Sequence, residues 1–243
     1  MPFRPPSRRS VTPGGRGRFP GFDVLDEVWR WDDVTAGVVL SRMDPPKDFS
    51  FFSPAEQAGA GALFDILLAQ HEEPKVPVLA MVDERLALRQ TDGWYFEDMP
   101  EDDEAWHRSL AALDEEAEAL GGTTFHQLDL EDQGGVVQAV QDAGTADWHG
   151  MPAGRVWSLW TRYACAAFYS HPWAWNEIGF GGPAYPRGYM ALGVGQLEHW
   201  EVPDADNRDP VPWADRVEAA RKTHSRRVAG ADEREERDQR GER

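Results

Sequence analysis

A chain of 243 residues with 41% hydrophobic and 11% aromatic side chains can bury the core of one domain with extensions, which excludes wholesale disorder. Its 25 Lys and Arg stand against 43 Asp and Glu, a formal net charge of −18; phosphate backbones and anionic lipid repel such a chain, so neither nucleic-acid binding nor a membrane-surface role is expected. A single cysteine, Cys165, leaves room for neither an internal disulfide nor a thiolate metal cluster.

The start, "MPFRPPSRRSVTPGGRGRFPGFDVL", is basic and rich in Pro and Gly, and residues 1–20 read as a disordered basic arm. Arg8-Arg9 has the form of a twin-arginine export signal, but Thr12-Pro13-Gly14-Gly15-Arg16 stands where an apolar stretch should follow. No run reaches the ~18 apolar residues needed to span a bilayer. The expected location is cytoplasmic, with periplasmic residence open through co-export beside a partner that carries a signal. Residues 21–52 read as an irregular arm that wraps a partner. In it "VWRWDD", with Trp29 and Trp31, leads into "VTAGVVLSRM". Asp32 or Asp33 could cap a short helix there, and Val38-Val39-Leu40 could equally be a strand.

Residues 53–200 read as a helical domain. Ser53, Pro54 and Glu56 form a capping-box start, followed by Ala60, Leu63, Phe64, Leu67 and Leu68 on one face. A second helix is expected from about Pro77 to Arg89, with Leu79, Val82 and Leu86 inward. The third opens on Pro100-Glu101-Asp102-Asp103-Glu104, acids that complement the positive end of the helix dipole. Trp106, Leu110, Leu113, Ala117 and Leu120 form its apolar stripe. Asp114, Glu115, Glu116 and Glu118 read as its solvated face. "LDLEDQGGVVQAVQDAG" predicts a shorter helix weakened by Gly134-Gly135.

"AGRVWSLWTRYACAAFYS" then predicts a helix apolar almost all round, hence central to the bundle. Within it Cys165 reads as a buried thiol, or else as one half of an interchain disulfide. The stretch Phe168–Gly193 is too stiff and apolar for a spacer and too irregular for a helix or strand. Trp173, Trp175, Phe180, Tyr185 and Tyr189 together cover about 750–1,250 Å² at ~150–250 Å² each. That exceeds the ~300–600 Å² patch a monomer exposes, so the rings divide between the chain's own core and a partner. His171, Asn176, Glu177 and Arg187 join them as candidate interface residues, with Trp29 and Trp31 upstream. Beyond residue 200 "PWADRVEAARKTHSRRV" reads as an exposed helix and "ADEREERDQRGER" as a disordered, mixed-charge tail. The fold class is mainly α: a small helical bundle with long irregular aromatic-rich arms at both ends.

Catalytic signatures are missing from the sequence. There is no Gly-x-Ser-x-Gly elbow, no phosphate loop and no strand–G-x-G-x-x-G–helix unit. His71, His126, His149 and His171 lie at no metal-ligand spacing. The one enzymatic alternative is a pocket built from His171, Glu177 and Arg187; hydrogen bonds that fix the turn are the plainer role for these groups. No catalytic residue, metal or cofactor is expected in this chain.

"TRYACAAFYSHPWAWNEIGFGGPAYPRGY", with "FFSPAEQAGAGALFDILLAQHEEPKVPVLAMVDERL" and "DGWYFEDMPEDDEAWHRSLAALDEEA" upstream, resembles the gluconate 2-dehydrogenase subunit 3 family, over about Trp31 to Gly193. The resemblance implies a small, cofactor-free accessory subunit. Its partner would be a large FAD-containing subunit of the glucose–methanol–choline oxidoreductase type that oxidises a sugar, sugar acid or polyol, often passing electrons to a cytochrome c. The small subunit would help that partner fold; a transient assembly chaperone that leaves after maturation is a competing reading.

Overall fold

Residues 22–201, apart from 45–47, 72, 74, 95, 122–123, 191–192 and 200, are described by a computed structural model. All of them lie in one compact unit. The expectations for residues 1–20 and for the tail beyond Glu201 fall outside the described residues. Within them the chain is mainly α.

The main layer is built by α2 (Pro54–Leu68), α3 (Val78–Ala87), α4 (Asp102–Gly121), α5 (Leu130–Ala143) and α6 (Ala153–Phe168). Helix α2 starts as its sequence dictates: Ser53 Oγ accepts from the Glu56 amide, Glu56 accepts from the Ser53 amide, and Pro54 occupies the first turn. Ala60, Leu63 and Phe64 are buried against the other helices. At the centre lies Trp106 of α4, 0% exposed, with Phe52 and Tyr163 edge-on at 5.9 and 5.8 Å between ring centroids. A short hairpin, β1 (Asp147–Trp148) and β2 (Met151–Pro152), joins α5 to α6.

Polar side chains fasten this layer where backbone groups would otherwise be bare. Asp83 of α3 is 2% exposed, and its carboxylate accepts from the amides of Ser50, Phe51 and Phe52, tying the strap before α2 to α3. Asp102 takes both contacts of Arg162 Nη2 at 3.1 Å and the Tyr163 hydroxyl at 2.7 Å, joining the start of α4 to α6. Arg162 and Arg85 both pair with Asp92. Partial burial acts to raise the Asp92 carboxyl, but the hydrogen bonds from the two guanidinium groups hold it below its ordinary value.

Several expectations change. Two helices occupy most of residues 24–41: a 3₁₀ segment, Val24–Arg30, precedes α1, Asp33–Ser41. Asp32 is the cap, its carboxylate accepting from the Thr35 amide at 2.8 Å, and the strand alternative for Val38–Leu40 falls. Leu120, expected in the apolar stripe of α4, lies exposed. Asp114 and Glu116 are more than a solvated face, since Asp114 accepts from the Phe125 amide and Glu116 from Trp148 Nε1. Helix α6 buries one face only, through Val156, Leu159, Trp160, Tyr163 and Ala164. Cys165 points away from that face and is exposed, which overturns its reading as a buried thiol. Partial desolvation by neighbouring atoms still pushes the thiol pKa up.

Candidate functional site

The Gly/Pro-rich stretch after α6 contains a helix of its own, α7 (Pro172–Ile178). Pro172 occupies its first turn, His171 Nδ1 accepts from the Trp173 amide at 3.2 Å, and Gly179 closes it in the left-handed region at φ +68°. The expectation of an irregular segment thus holds only beyond Ile178.

One face of α7 joins the N-terminal arm in a second apolar cluster of Val24, Trp31, Val39 and Trp175. Asn176 locks the two pieces together: its Oδ1 accepts from the Val24 amide at 2.7 Å and its Nδ2 donates to Asp23 Oδ1 at 3.3 Å. Trp175 Nε1 donates to the Tyr169 carbonyl at 2.7 Å. Arg42 donates to the Ser170 carbonyl at 2.8 Å, and its guanidinium lies 5.7 Å from the Trp175 ring. Burial first, and then the Arg42 charge, push the His171 pKa down to about 4.

Beyond α7 the chain folds over Trp31. Gly182, at φ +77°, presses its backbone against that indole, leaving no room for a Cβ. Arg187 fixes the turn by donating to the Gly181 carbonyl at 2.7 Å, while Nη1 approaches Glu27 at 3.5 Å. Glu27 also pairs with Arg30 Nε at 2.6 Å. Arg30 stacks over Trp29 at 4.2 Å and reaches His199. This run of contacts gathers Trp29, the 181–189 loop and His199 into one neighbourhood.

The candidate interface residues therefore divide. Trp31, His171, Trp175 and Asn176 are buried in the chain's own fold; they build the seat, and the expectation that they face a partner is corrected because α7 and the arm already cover them. Trp173 packs partly buried against the main core. Glu177 and Arg187 are half-buried. Trp29 at 73%, Tyr185 at 65% and Tyr189 at 54% stand out into solvent, with Phe180 at its edge. Met190, 83% exposed, was not singled out from sequence, although the apolar pair Tyr189-Met190 could have marked it.

The pocket of His171, Glu177 and Arg187 does not assemble as an acid–base site. His171 is 1% exposed and caps a helix, and Arg187 holds backbone carbonyls. Among the described residues no group of three or more His, Cys, Asp and Glu side chains is placed to hold a metal. Nor is any described helix long and apolar enough to cross a membrane.

In comparisons with known proteins, residues 54–182, a little over half the chain, match the family model described as gluconate 2-dehydrogenase subunit 3. The match is narrower than the resemblance read from sequence: it spans α2 to Gly182 and leaves out Trp29, Tyr185 and Tyr189. No curated protein and no solved structure matches the chain.

Proposed function

The chain belongs to the gluconate 2-dehydrogenase subunit 3 family, and on that premise we propose that it is the non-catalytic small subunit that binds and stabilises a flavin-containing dehydrogenase subunit. The partner is of the glucose–methanol–choline type, holds the FAD, and oxidises a sugar, sugar acid or polyol; a cytochrome c is a further candidate component. The observation that carries this reading is the exposed aromatic face of Trp29, Tyr185 and Tyr189 with Met190. Aromatic anchors on a pre-ordered surface are what hot spots are made of. Here the order comes from the buried seat of Trp31, Trp175 and Asn176 beneath.

Co-expression of the tagged chain with the flavoprotein subunit tests it. A stable complex is expected, and Trp29→Ala with Tyr185→Ala should weaken it by more than ~2 kcal/mol, about 30-fold, leaving the thermal transition of the isolated chain unchanged. A flavoprotein that folds, takes up FAD and turns over normally without ever binding this chain would overturn the reading.

A further inference from the structure

A glycine inside a helix costs about 0.5–1 kcal/mol relative to alanine, so each one asks for a reason. In α6 the fold supplies it: a Cβ on Gly154 would lie 2.8 Å from the Gly144 carbonyl oxygen. In α5 it does not: Gly134 and Gly135 have no positive φ, and a Cβ on either would meet nothing within 4 Å.

Gly135 opens onto a cavity of about 380 Å³ between α4 and α5, floored by Ala119, Val136 and Trp148 and edged by Glu116 and Asp132. Leu120 also lines it, and Leu120 and Leu130 are 62% and 57% exposed. The charge around it is one-sided. From Ser109 to Gly154 the sequence has nine Asp and Glu and not one Lys or Arg, which is −9 of the net −18. The imidazole of His149 lies between Glu115 at 3.0 Å and Glu116 at 2.8 Å.

We propose that the α4–α5 groove docks a lysine- or arginine-bearing helix of the flavoprotein subunit, its backbone passing close over Gly135 and beside Gly134. The proposal rests on the function given above and adds a second, electrostatic contact to the aromatic face. Bare glycines let two helix axes approach more closely than side chains allow. The exposed leucines offer apolar cover for the incoming helix, and the acidic rim selects a cationic one. A second copy of this chain would bring the same −18 charge to the groove and be repelled.

The full tagged chain carrying Gly134→Ala and Gly135→Ala is measured two ways: its Tm alone, and its Kd for the purified flavoprotein subunit. Because the glycines serve nothing inside the chain, Tm should rise by about 2–6 °C, while Kd should rise at least tenfold. A higher Tm with unchanged Kd overturns the proposal, as does a lower Tm, which would give the glycines an internal role. Asp132→Asn should also weaken binding and flatten its dependence on salt; an unchanged salt slope overturns the cationic occupant. If the wild-type chain binds no flavoprotein, both readings fall. If it binds and all these variants bind equally well, only the groove falls. A change in self-association instead would assign the groove to a second copy and overturn the proposal.

Discussion

Burial of His171 at the start of α7 makes a neutral imidazole part of the folded state. Its pKa is pushed down to about 4 from 6.5. As pH falls below 6.5 the unfolded chain takes up a proton there while the folded chain resists until about 4. Stability from this site is therefore complete above 6.5 and is lost as pH drops through that window, by about 3 kcal/mol in all. Asparagine caps helices well and does not titrate, so His171→Asn should show a flatter urea-unfolding free energy between pH 7 and pH 4.5 than the wild type. Equal slopes would mean that His171 is not the group responsible. At this scale the sequence marked the residue and left two tasks open, a hydrogen bond that fixes the turn and a partner contact, of which the structure has the first. Cap or contact depends on whether an arm 150 residues earlier covers it, which no local pattern records. Asp83 and Asp102 are alike in this: their partners, the amides of residues 50–52 for the one and Arg162 with Tyr163 for the other, arrive from elsewhere in the chain.

Elements with strong local signals formed where they were expected. Helix α2 has its capping box and proline, and α4 its acidic first turn and apolar stripe. Helix α7 is the counterexample. Pro172 in its first turn and Gly179 after its end are both plain start and stop signs, yet seven residues are far too few to hold a helix in water. Its stability comes from Trp175 and Asn176 packing onto the arm, so its existence is a tertiary fact. The contact of Gly182 with Trp31 closes that joint. Gly182→Ala adds a Cβ that meets the indole and strains a backbone at φ +77°. It should lower stability by about 2 kcal/mol, seen as a lower urea midpoint, and should loosen Trp31, seen as red-shifted, more quenchable fluorescence. A variant as stable as wild type would show that the loop does not rest on Trp31.

Across the described molecule two apolar clusters of unequal size coexist, the large one among α2–α6 and the small one of Val24, Trp31, Val39 and Trp175. Local opening takes less free energy where fewer apolar contacts must separate. Amide exchange should therefore reach residues 24–41 and α7 well before Trp106, Leu113 or Trp160. In the proposed complex with a flavoprotein subunit the protection of Val24–Ser41 should rise the most, because Trp29 is mounted there. Uniform exchange across both clusters, or no added protection on binding, would remove the arm from the interface.

The family's helices, the acidic balance and the lack of catalytic motifs are properties of residue order alone, because capping, periodicity and charge act over a few neighbours. Which rings face outward was decided by the tertiary structure. Trp29 and Trp31 are two residues apart in one short motif, yet Trp31 lies beneath Gly182 and Trp29 stands in solvent. Burial is settled by whatever the folded chain brings alongside, and for Trp31 that neighbour, Gly182, lies about 150 residues away.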